Sequence, residues 1–237
     1  MKKSTLRDPY RGQDPRDMPT YDTVAAAHYL RIPQNTIRNW AFGYTRPSGR
    51  ESAALLHVDH APSGFLSFWN LVELHVLGAL RRDHQVKLVN IRSAIEYLQK
   101  ELRSPRPLLE RTMETDGVDV FVDHFGELVN ASRHGQVAMR DVLHAYLKRI
   151  DRDPKGVPVR LFPFTRPKND SVDAPRIISI DPAVAFGRPV IVGSRVPTRE
   201  VYERYMRGES SAELADDFGC TVDQIEEAVR CESGQAA

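Results

Sequence analysis

The fold of the first part of the chain is decided by the stretch Tyr21-Asp22-Thr23-Val24-Ala25-Ala26-Ala27-His28-Tyr29-Leu30-Arg31-Ile32-Pro33-Gln34-Asn35-Thr36-Ile37-Arg38-Asn39-Trp40. Ala26 and Ala27 are small enough to let one helix cross another closely. Thr23 is predicted to cap the first helix, and Pro33 interrupts the pattern. A second helix is predicted from about Asn35 to Trp40, with Gly43 ending it. The apolar seam between the two helices consists of Leu30, Ile32, Ile37 and Trp40.

The second helix carries a set of polar side chains that are predicted to point outward: Gln34, Asn35, Thr36, Arg38 and Asn39. Side chains of these types hydrogen-bond base edges and phosphates. The free N–H groups at the start of a short helix also favour contact with phosphate. A helical hairpin with a merely polar surface is the alternative interpretation. The small-residue crossing, the turn and the polar second helix occur together, which favours a DNA-reading helix-turn-helix.

The residues after this unit predict a small hairpin or wing, because Pro47, Gly49, Pro62 and Gly64 surround a short apolar run from 53 to 58. Ser67 is predicted to cap a helix that runs to about Arg82. Another helix follows, with apolar residues three and four apart at Leu88, Ile91, Ile95, Leu98 and Leu102.

From Tyr21 to Leu98 the sequence resembles the winged helix-turn-helix of the MerR family. The resemblance implies that the helix at 34–40 reads the major groove while the wing lies on the flanking backbone. One departure is that Pro105 and Pro107 cut short the helix through which those regulators dimerise, so inducer binding does not carry over. The DNA-binding residues expected on this basis are Gln34, Asn35, Thr36, Arg38, Asn39, Tyr44, Arg46 and Arg50.

The middle of the chain predicts a small α+β segment. Val118, Val120 and Val122 alternate after the turn signal at 116–117, which predicts a strand leaving a hairpin. A helix is predicted from about Val137 to Ile150. Five prolines between residues 154 and 175 then predict a stiff, extended linker. The apolar residues at 161, 162 and 164 are expected to dock on a neighbouring part of the fold.

A second motif, Asp181-Pro182-Ala183-Val184-Ala185-Phe186-Gly187-Arg188-Pro189-Val190-Ile191-Val192-Gly193-Ser194-Arg195-Val196-Pro197-Thr198, predicts a tight β unit. Gly187 and Gly193 allow turns with positive φ, and helices follow from Thr198 to Arg230. From Ile177 to Arg230 the sequence resembles a small bacterial family catalogued as a domain of unknown function and associated with VapB-type antitoxins. The resemblance implies a toxin partner with a PIN-like ribonuclease fold. The expected partner-binding or structural residues are Asp181, Gly187, Pro189, Gly193, Ser194, Arg195 and Pro197.

Charge is distributed unevenly along the chain, although the net charge is only +1. Residues 1–100 hold 14 Lys and Arg against 9 Asp and Glu, whereas residues 176–237 hold 7 against 11. A basic first part and an acidic last part predict two different partners, DNA and a basic protein. The acidic surface is expected to comprise Glu209, Glu213, Asp216, Asp217, Asp223, Glu226 and Glu227.

The sequence gives little support for an enzyme, a metal-binding protein or a membrane protein. The motif at 187–194 lacks the Gly-Lys-Ser/Thr ending of a phosphate loop, and no Gly-x-Ser-x-Gly elbow occurs. His57, Asp59 and His60 have metal-ligating chemistry, but polar wing residues near DNA are the favoured interpretation. Cys220 and Cys231 are expected to be reduced. The first 19 residues lack the apolar region of a signal peptide, and polar residues interrupt the apolar stretch at 64–80.

The expected fold is mainly α with small β parts (α+β). Five regions are predicted: a flexible basic arm (1–20), a MerR-like winged helix-turn-helix (21–102), an α+β middle segment (103–153), a Pro-rich linker (154–175) and an antitoxin-family C-terminal domain (176–232). The expected function is a cytoplasmic, DNA-binding antitoxin, a homodimer or higher oligomer that represses its own operon and neutralises the nuclease, with no catalytic residues, cofactor or metal. The alternative is a MerR-like transcriptional regulator without a toxin, whose C-terminal domain serves dimerisation.

Overall fold

The computed structural model of the chain describes residues 9–45, 48–49, 51–82, 88–114, 116–129, 133–166 and 174–233. About 54% of the chain is helical and the sheets are small and antiparallel, which confirms the mainly α, α+β fold class. The helices are α1 (Thr23–Leu30), α2 (Gln34–Phe42), α3 (Phe68–Arg82), α4 (Leu88–Glu101), α5 (Asp116–Val129), α6 (Arg133–Leu147), α7 (Thr198–Met206), α8 (Ser211–Phe218) and α9 (Val222–Ser233). The strands are β1 (Tyr44–Thr45), β2 (Glu51–Ser52), β3 (Ile150–Arg152), β4 (Pro158–Leu161), β5 (Ile178–Ile180) and β6 (Pro189–Ile191).

Helices α1 and α2 form the predicted pair, packed through the buried Ala26 and Ala27. The predicted cap is wrong by one residue, because Asp22 caps α1 by accepting a 2.7 Å hydrogen bond from the Ala25 amide. Thr23 is instead the first helical residue. Asp and Thr are both good caps, and here Asp22 has the extended backbone that a cap requires. Gly43 ends α2 as predicted.

A two-stranded antiparallel hairpin follows α2, with Tyr44 opposite Ser52 and Thr45 opposite Glu51. The apolar run at 53–58 lies outside its strands and packs back on the core, where Leu56 is buried. Ser67 caps α3 as predicted, since its hydroxyl accepts a hydrogen bond from the Asn70 amide. Helices α3 and α4 confirm the two helices expected after the hairpin.

The strand predicted at Val118, Val120 and Val122 is wrong, because these residues lie in helix α5. Val118, Phe121 and Val122 are all fully buried, and their spacing of three and four is the period of a helix face. The alternation of valines was therefore incidental to the helical pattern. The following helix, α6, ends at Leu147, and Ile150 belongs to strand β3 instead.

Strands β3 to β6 form one antiparallel sheet in chain order, which runs through the predicted linker. Strand β4 lies inside that segment, so the described part of the segment is packed and is not a bare connector. Leu161, Phe162 and Phe164 are buried, which confirms their predicted docking. The domain boundaries themselves stay predictions.

The C-terminal residues form a second, smaller core in which β5 and β6 pack against α7, α8 and α9. Its two strands pair antiparallel, and helices follow from Thr198 as predicted. Ser210 and Glu213 make a capping box at the start of α8, and Gly219 ends that helix. In the described ranges, no helix is long and apolar enough to cross a bilayer.

Candidate nucleic-acid interface

Helix α2 presents a polar edge to solvent while its apolar side is held in the core. Ile37 and Trp40 are buried, whereas Asn35 and Arg38 are exposed and Asn39 is half-exposed. Thr36 is 8% exposed, so its predicted outward orientation is wrong. It lies four residues before Trp40, on the side of the helix that faces the core.

The start of α2 is fixed to α1 by a hydrogen bond between two polar side chains. The Gln34 amide donates to the Thr23 hydroxyl at 3.0 Å, so Gln34 is partly engaged within the fold. Of the predicted wing contacts, Tyr44 is half-exposed on β1. Arg46 and Arg50 lie outside the described residues. The polar side chains that the structure brings together on one exposed edge are therefore Asn35, Arg38 and Asn39.

The hairpin is joined to α2 by a close backbone contact at Gly43. This glycine has φ 74°, and a Cβ there would lie 2.5 Å from the carbonyl oxygen of Ser52. The amides of Leu55 and Leu56 donate to the Trp40 carbonyl at 2.8 and 3.2 Å. The position of the hairpin relative to the exposed edge of α2 is therefore set by backbone contacts.

A polar network is centred on the buried Glu73 of α3. Burial raises the pKa of the Glu73 carboxyl to about 7, although hydrogen bonds from Arg106 and Asn70 act in the opposite direction. Arg106 also pairs with Asp59 at 2.8 Å, and Asp59 lies 2.9 Å from the ring nitrogen of His57.

These contacts bear on the metal-ligating alternative. His57 and Asp59 are engaged in the network, while the ring nitrogen of His60 lies 3.1 Å from the carbonyl oxygen of Asp17. Within the described part of the chain, no group of three His, Cys, Asp or Glu side chains is placed to hold a metal ion.

The glycines of the second motif adopt the predicted conformations. Gly187 has φ 76° and Gly193 has φ 88°. Gly187 is buried, and its carbonyl oxygen accepts a 3.0 Å hydrogen bond from the hydroxyl of Tyr21, just before α1. Burial raises the pKa of the Tyr21 phenol well above its ordinary value.

The other motif residues are mostly engaged in holding the hairpin. Asp181 accepts hydrogen bonds from the Ala183 amide at 2.9 Å and from Arg160 at 3.3 Å. The Ser194 hydroxyl accepts from the Val196 amide at 3.2 Å. Pro189 begins β6 and Pro197 precedes α7, while Arg195 is exposed with φ 62°.

The first and last parts of the chain are joined by contacts that the sequence did not predict. Arg31, at the end of α1, donates to the carbonyl oxygens of Phe164, Thr165 and Arg230 at 2.9–3.1 Å. His28 lies 3.6 Å from a carboxylate oxygen of Glu232 in α9. The nearest sequence signal was the predicted docking of the apolar residues at 161–164.

The predicted acidic surface needs one correction, because Glu227 is fully buried. Burial acts to raise the pKa of its carboxyl, but hydrogen bonds from Thr165, Arg166 and Arg230 outweigh this and hold the pKa below its usual range. Arg204 pairs with Glu209 and with Asp217. The remaining predicted acids are exposed or half-exposed, with Glu209 before α8 and the others on α8 and α9.

Two family models match the chain. Residues 19–95 match the model described as "Putative DNA-binding HTH domain", and residues 178–230 match "Protein of unknown function (DUF433)". The chain is therefore similar to a helix-turn-helix domain in its first part and to DUF433 in its last part. The first match contains α1, α2 and the hairpin, and the second contains the sheet edge and helices of the smaller core.

Relatives from Mycobacterium tuberculosis (strain ATCC 25618 / H37Rv) span nearly the whole chain. "Putative antitoxin VapB45" is 29% identical over 235 residues, covering 90% of this chain and 93% of that protein. "Uncharacterized protein Rv2308" is 27% identical over 223 residues, covering 90% of each. The crystal structure of Rv2018 from Mycobacterium tuberculosis shares the fold, with a TM-score of 0.65 at 24% identity over 90% of this chain and 98% of that chain.

Proposed function

We propose that the protein is the DNA-binding antitoxin of a type II toxin–antitoxin system. It represses its own operon through the helix-turn-helix and neutralises a PIN-like ribonuclease toxin through the C-terminal domain. The observation that carries the proposal is the exposed polar edge of α2 in a chain that aligns over 90% of its length with a putative antitoxin. Action at an operator places the protein in the cytoplasm.

DNA binding follows the winged, MerR-like mode. Helix α2 enters the major groove, where Asn35, Arg38 and Asn39 hydrogen-bond base edges and phosphates. The side-chain amide of Gln34 donates one hydrogen bond to Thr23 and uses its second N–H to bind DNA. The hairpin lies on the flanking backbone through Tyr44, Arg46 and Arg50. Thr36 anchors the helix to the core and does not contact DNA.

The active form is a homodimer or higher oligomer, because one helix-turn-helix buries too little DNA surface for tight specific binding. Light scattering of the free protein and of its DNA complex tests this statement. A monomer near 27 kDa in both samples would contradict it.

In this proposal the chain keeps the five regions 1–20, 21–102, 103–153, 154–175 and 176–232, with the toxin bound by the last one.

The DNA-binding half is tested by the double variant Asn35→Ala/Arg38→Ala. Fluorescence anisotropy with a duplex from the protein's own promoter should show at least a five-fold weaker affinity, since loss of one base or buried phosphate contact costs ~1–3 kcal/mol. Arg195→Ala is the matched control, because Arg195 is an exposed arginine of the C-terminal domain. Unchanged affinity of the double variant would contradict this assignment of the site.

A regulator without a toxin is the second candidate, and the hydrogen bond from Tyr21 to Gly187 favours it. A C-terminal domain packed on the helix-turn-helix could serve to dimerise and orient the DNA-binding surface. Co-purification with the product of the neighbouring reading frame separates the two candidates. Binding of that product favours the antitoxin, whereas its absence together with a dimer held by the C-terminal domain favours the regulator.

A further inference from the structure

Three apolar side chains are exposed at one end of the smaller core. Tyr205 and Met206 at the end of α7 are 41% and 65% exposed, and Val222 at the start of α9 is 42% exposed. Helices α7 and α9 pack against each other, and Thr198 at the start of α7 hydrogen-bonds Glu232 near the end of α9, from which we infer that the two helices run antiparallel. At about 1.5 Å per helical residue, Met206 and Val222 both lie roughly 12–15 Å from that bond, at the same end.

Two of these residues continue the buried stripes of their helices. Tyr205 is four residues after Val201, which is fully buried, and Val222 is three residues before Ile225, which is also fully buried. Side chains at these spacings lie on one face of a helix. Tyr205 and Val222 therefore extend the buried faces of α7 and α9 to solvent-exposed positions.

The charges around this end are mainly negative. Between residues 205 and 223, five acidic side chains stand against one basic side chain: Glu209, Glu213, Asp216, Asp217 and Asp223, with Arg207. Arg204 lies next to this segment, pairs with Glu209 and Asp217, and stacks over the ring of Phe218 at 5.0 Å. Asp216 and Asp223 are exposed.

We propose that this end of the domain is the surface that binds the toxin. The surface, called here the α7–α9 tip, consists of Tyr205, Met206 and Val222 with Asp216 and Asp223 at its rim. The proposal rests on the proposed antitoxin function. A ribonuclease holds a polyanion and so carries a basic surface, and an apolar centre with an acidic rim complements such a surface.

The motif at 181–197 is the competing surface, and the structure disfavours it. Its polar groups are largely engaged within the fold, and Gly187 faces Tyr21. Phe186 is exposed there beside the exposed Arg188, whereas at the tip the exposed Asp216 and Asp223 accompany Arg207 and give the excess of negative charge that a basic partner requires. The α7–α9 tip holds three of the eight large apolar side chains that are exposed among the described residues, together with the exposed carboxylates of Asp216 and Asp223.

Binding of the full-length chain to the purified product of the neighbouring reading frame tests the proposal by isothermal titration calorimetry. Met206→Lys and Asp223→Lys should each weaken binding about tenfold or more, as expected at the centre and rim of such an interface. Val137→Lys is the matched control, because Val137 is an exposed valine on α6, outside the proposed DNA-binding region, and it should change the affinity less than twofold. All three variants should bind promoter DNA like the unmodified chain, which shows that they are folded.

The outcomes separate the tip from the proposed function. If the unmodified chain binds the product and both tip variants bind equally well, the tip is overturned while the antitoxin function stands. If the unmodified chain does not bind the product, both fall. If Met206→Lys turns an oligomer into a monomer in light scattering, the tip is a contact between copies of this chain and the toxin assignment is overturned.

Discussion

The phenol of Tyr21, at the entry to the helix-turn-helix, donates a 3.0 Å hydrogen bond to the carbonyl oxygen of Gly187 in the C-terminal hairpin. Tyr21 is 3% exposed, so the bond is shielded from water. A Cβ at position 187 would lie 2.5 Å from the phenol oxygen, closer than van der Waals contact allows. The two domains therefore meet at a point where a glycine is required both by its positive φ and by its neighbour.

Removal of the hydroxyl alone, in Tyr21→Phe, should lower the free energy of unfolding by ~1–2 kcal/mol, because a buried carbonyl loses its donor while the ring packing stays. Urea denaturation followed by circular dichroism measures the change. Tyr44→Phe is the matched control, since Tyr44 is half-exposed on the hairpin. Equal stability of both variants and the unmodified chain would contradict a role for this bond.

Gly187→Ala and Gly193→Ala separate backbone strain from steric contact, because both glycines have positive φ and nothing lies within 4 Å of a Cβ at Gly193. Gly193→Ala should cost ~1–2 kcal/mol of stability through backbone strain alone. Gly187→Ala should cost ~2–4 kcal/mol, since the clash with Tyr21 adds to the strain. The cost should shrink in a Tyr21→Phe background, where the clashing oxygen is gone. Equal costs for the two glycines would argue against the close contact.

A similar pair of glycines tests the role of the β1–β2 hairpin in the proposed binding of DNA. Gly43→Ala should reduce affinity for promoter DNA, because its Cβ would meet the Ser52 carbonyl oxygen and displace the hairpin from α2. Gly49→Ala is the control, since Gly49 also has positive φ but no atom of the described residues lies within 4 Å of its Cβ position. Anisotropy titrations should place the Gly49 variant near the unmodified chain. An equal loss in both variants would mean that backbone strain, and not the contact at Gly43, is responsible.

Local patterns in the sequence predicted the local structure well. The small residues Ala26 and Ala27, the cap at Ser67 and the glycine at 43 each lie where the pattern predicted them. The prediction was wrong where the same residues fitted both the two-residue period of a strand and the 3.6-residue period of a helix. The valines from 118 to 122 fit a strand, but the inclusion of Phe121 makes the buried set helical.

Contacts between distant residues could not be predicted in the same way. The positive φ of Gly187 follows from its residue type, but its contact with Tyr21 spans 166 residues and depends on how two domains pack. Thr36 has the polarity of a DNA contact, yet its place on the helix puts it in the core. Side-chain chemistry alone does not separate these two roles.

The buried carboxyl of Glu73 predicts a pH dependence of stability. Burial raises the pKa of this carboxyl from 4.5 to about 7. Between these two pH values the folded state therefore keeps a proton that the unfolded state has released. Stability should therefore fall as the pH rises from about 5 to 7, by linkage. Glu73→Gln should flatten this part of the profile. Its stability relative to the unmodified chain should therefore be higher at pH 8 than at pH 5. Urea denaturation of both proteins across this range measures it, and parallel profiles would contradict the prediction.

The last prediction concerns Arg149, whose buried guanidinium holds the segment between the two domains. It donates to four backbone carbonyl oxygens at 2.5–3.1 Å, those of Phe162, Pro163, Ala174 and Pro175. Its carbon lies 4.8 Å from the centre of the Phe164 ring. Burial lowers the pKa of the guanidinium to about 10, with Arg176 acting in the same direction, so it stays charged at neutral pH.

Lysine at this position keeps the charge but has one nitrogen in place of three, so Arg149→Lys leaves buried carbonyls without donors. We expect a loss of ~2–4 kcal/mol in the free energy of unfolding, since each unsatisfied buried group costs ~1–3 kcal/mol. Arg188→Lys, at an exposed site, should change stability by less than ~0.5 kcal/mol. Limited proteolysis should also cut the Arg149 variant faster between residues 162 and 175, because those carbonyls lose the group that fixes the chain. Stability and cleavage equal to those of the Arg188 variant would show that the sheet alone secures the segment.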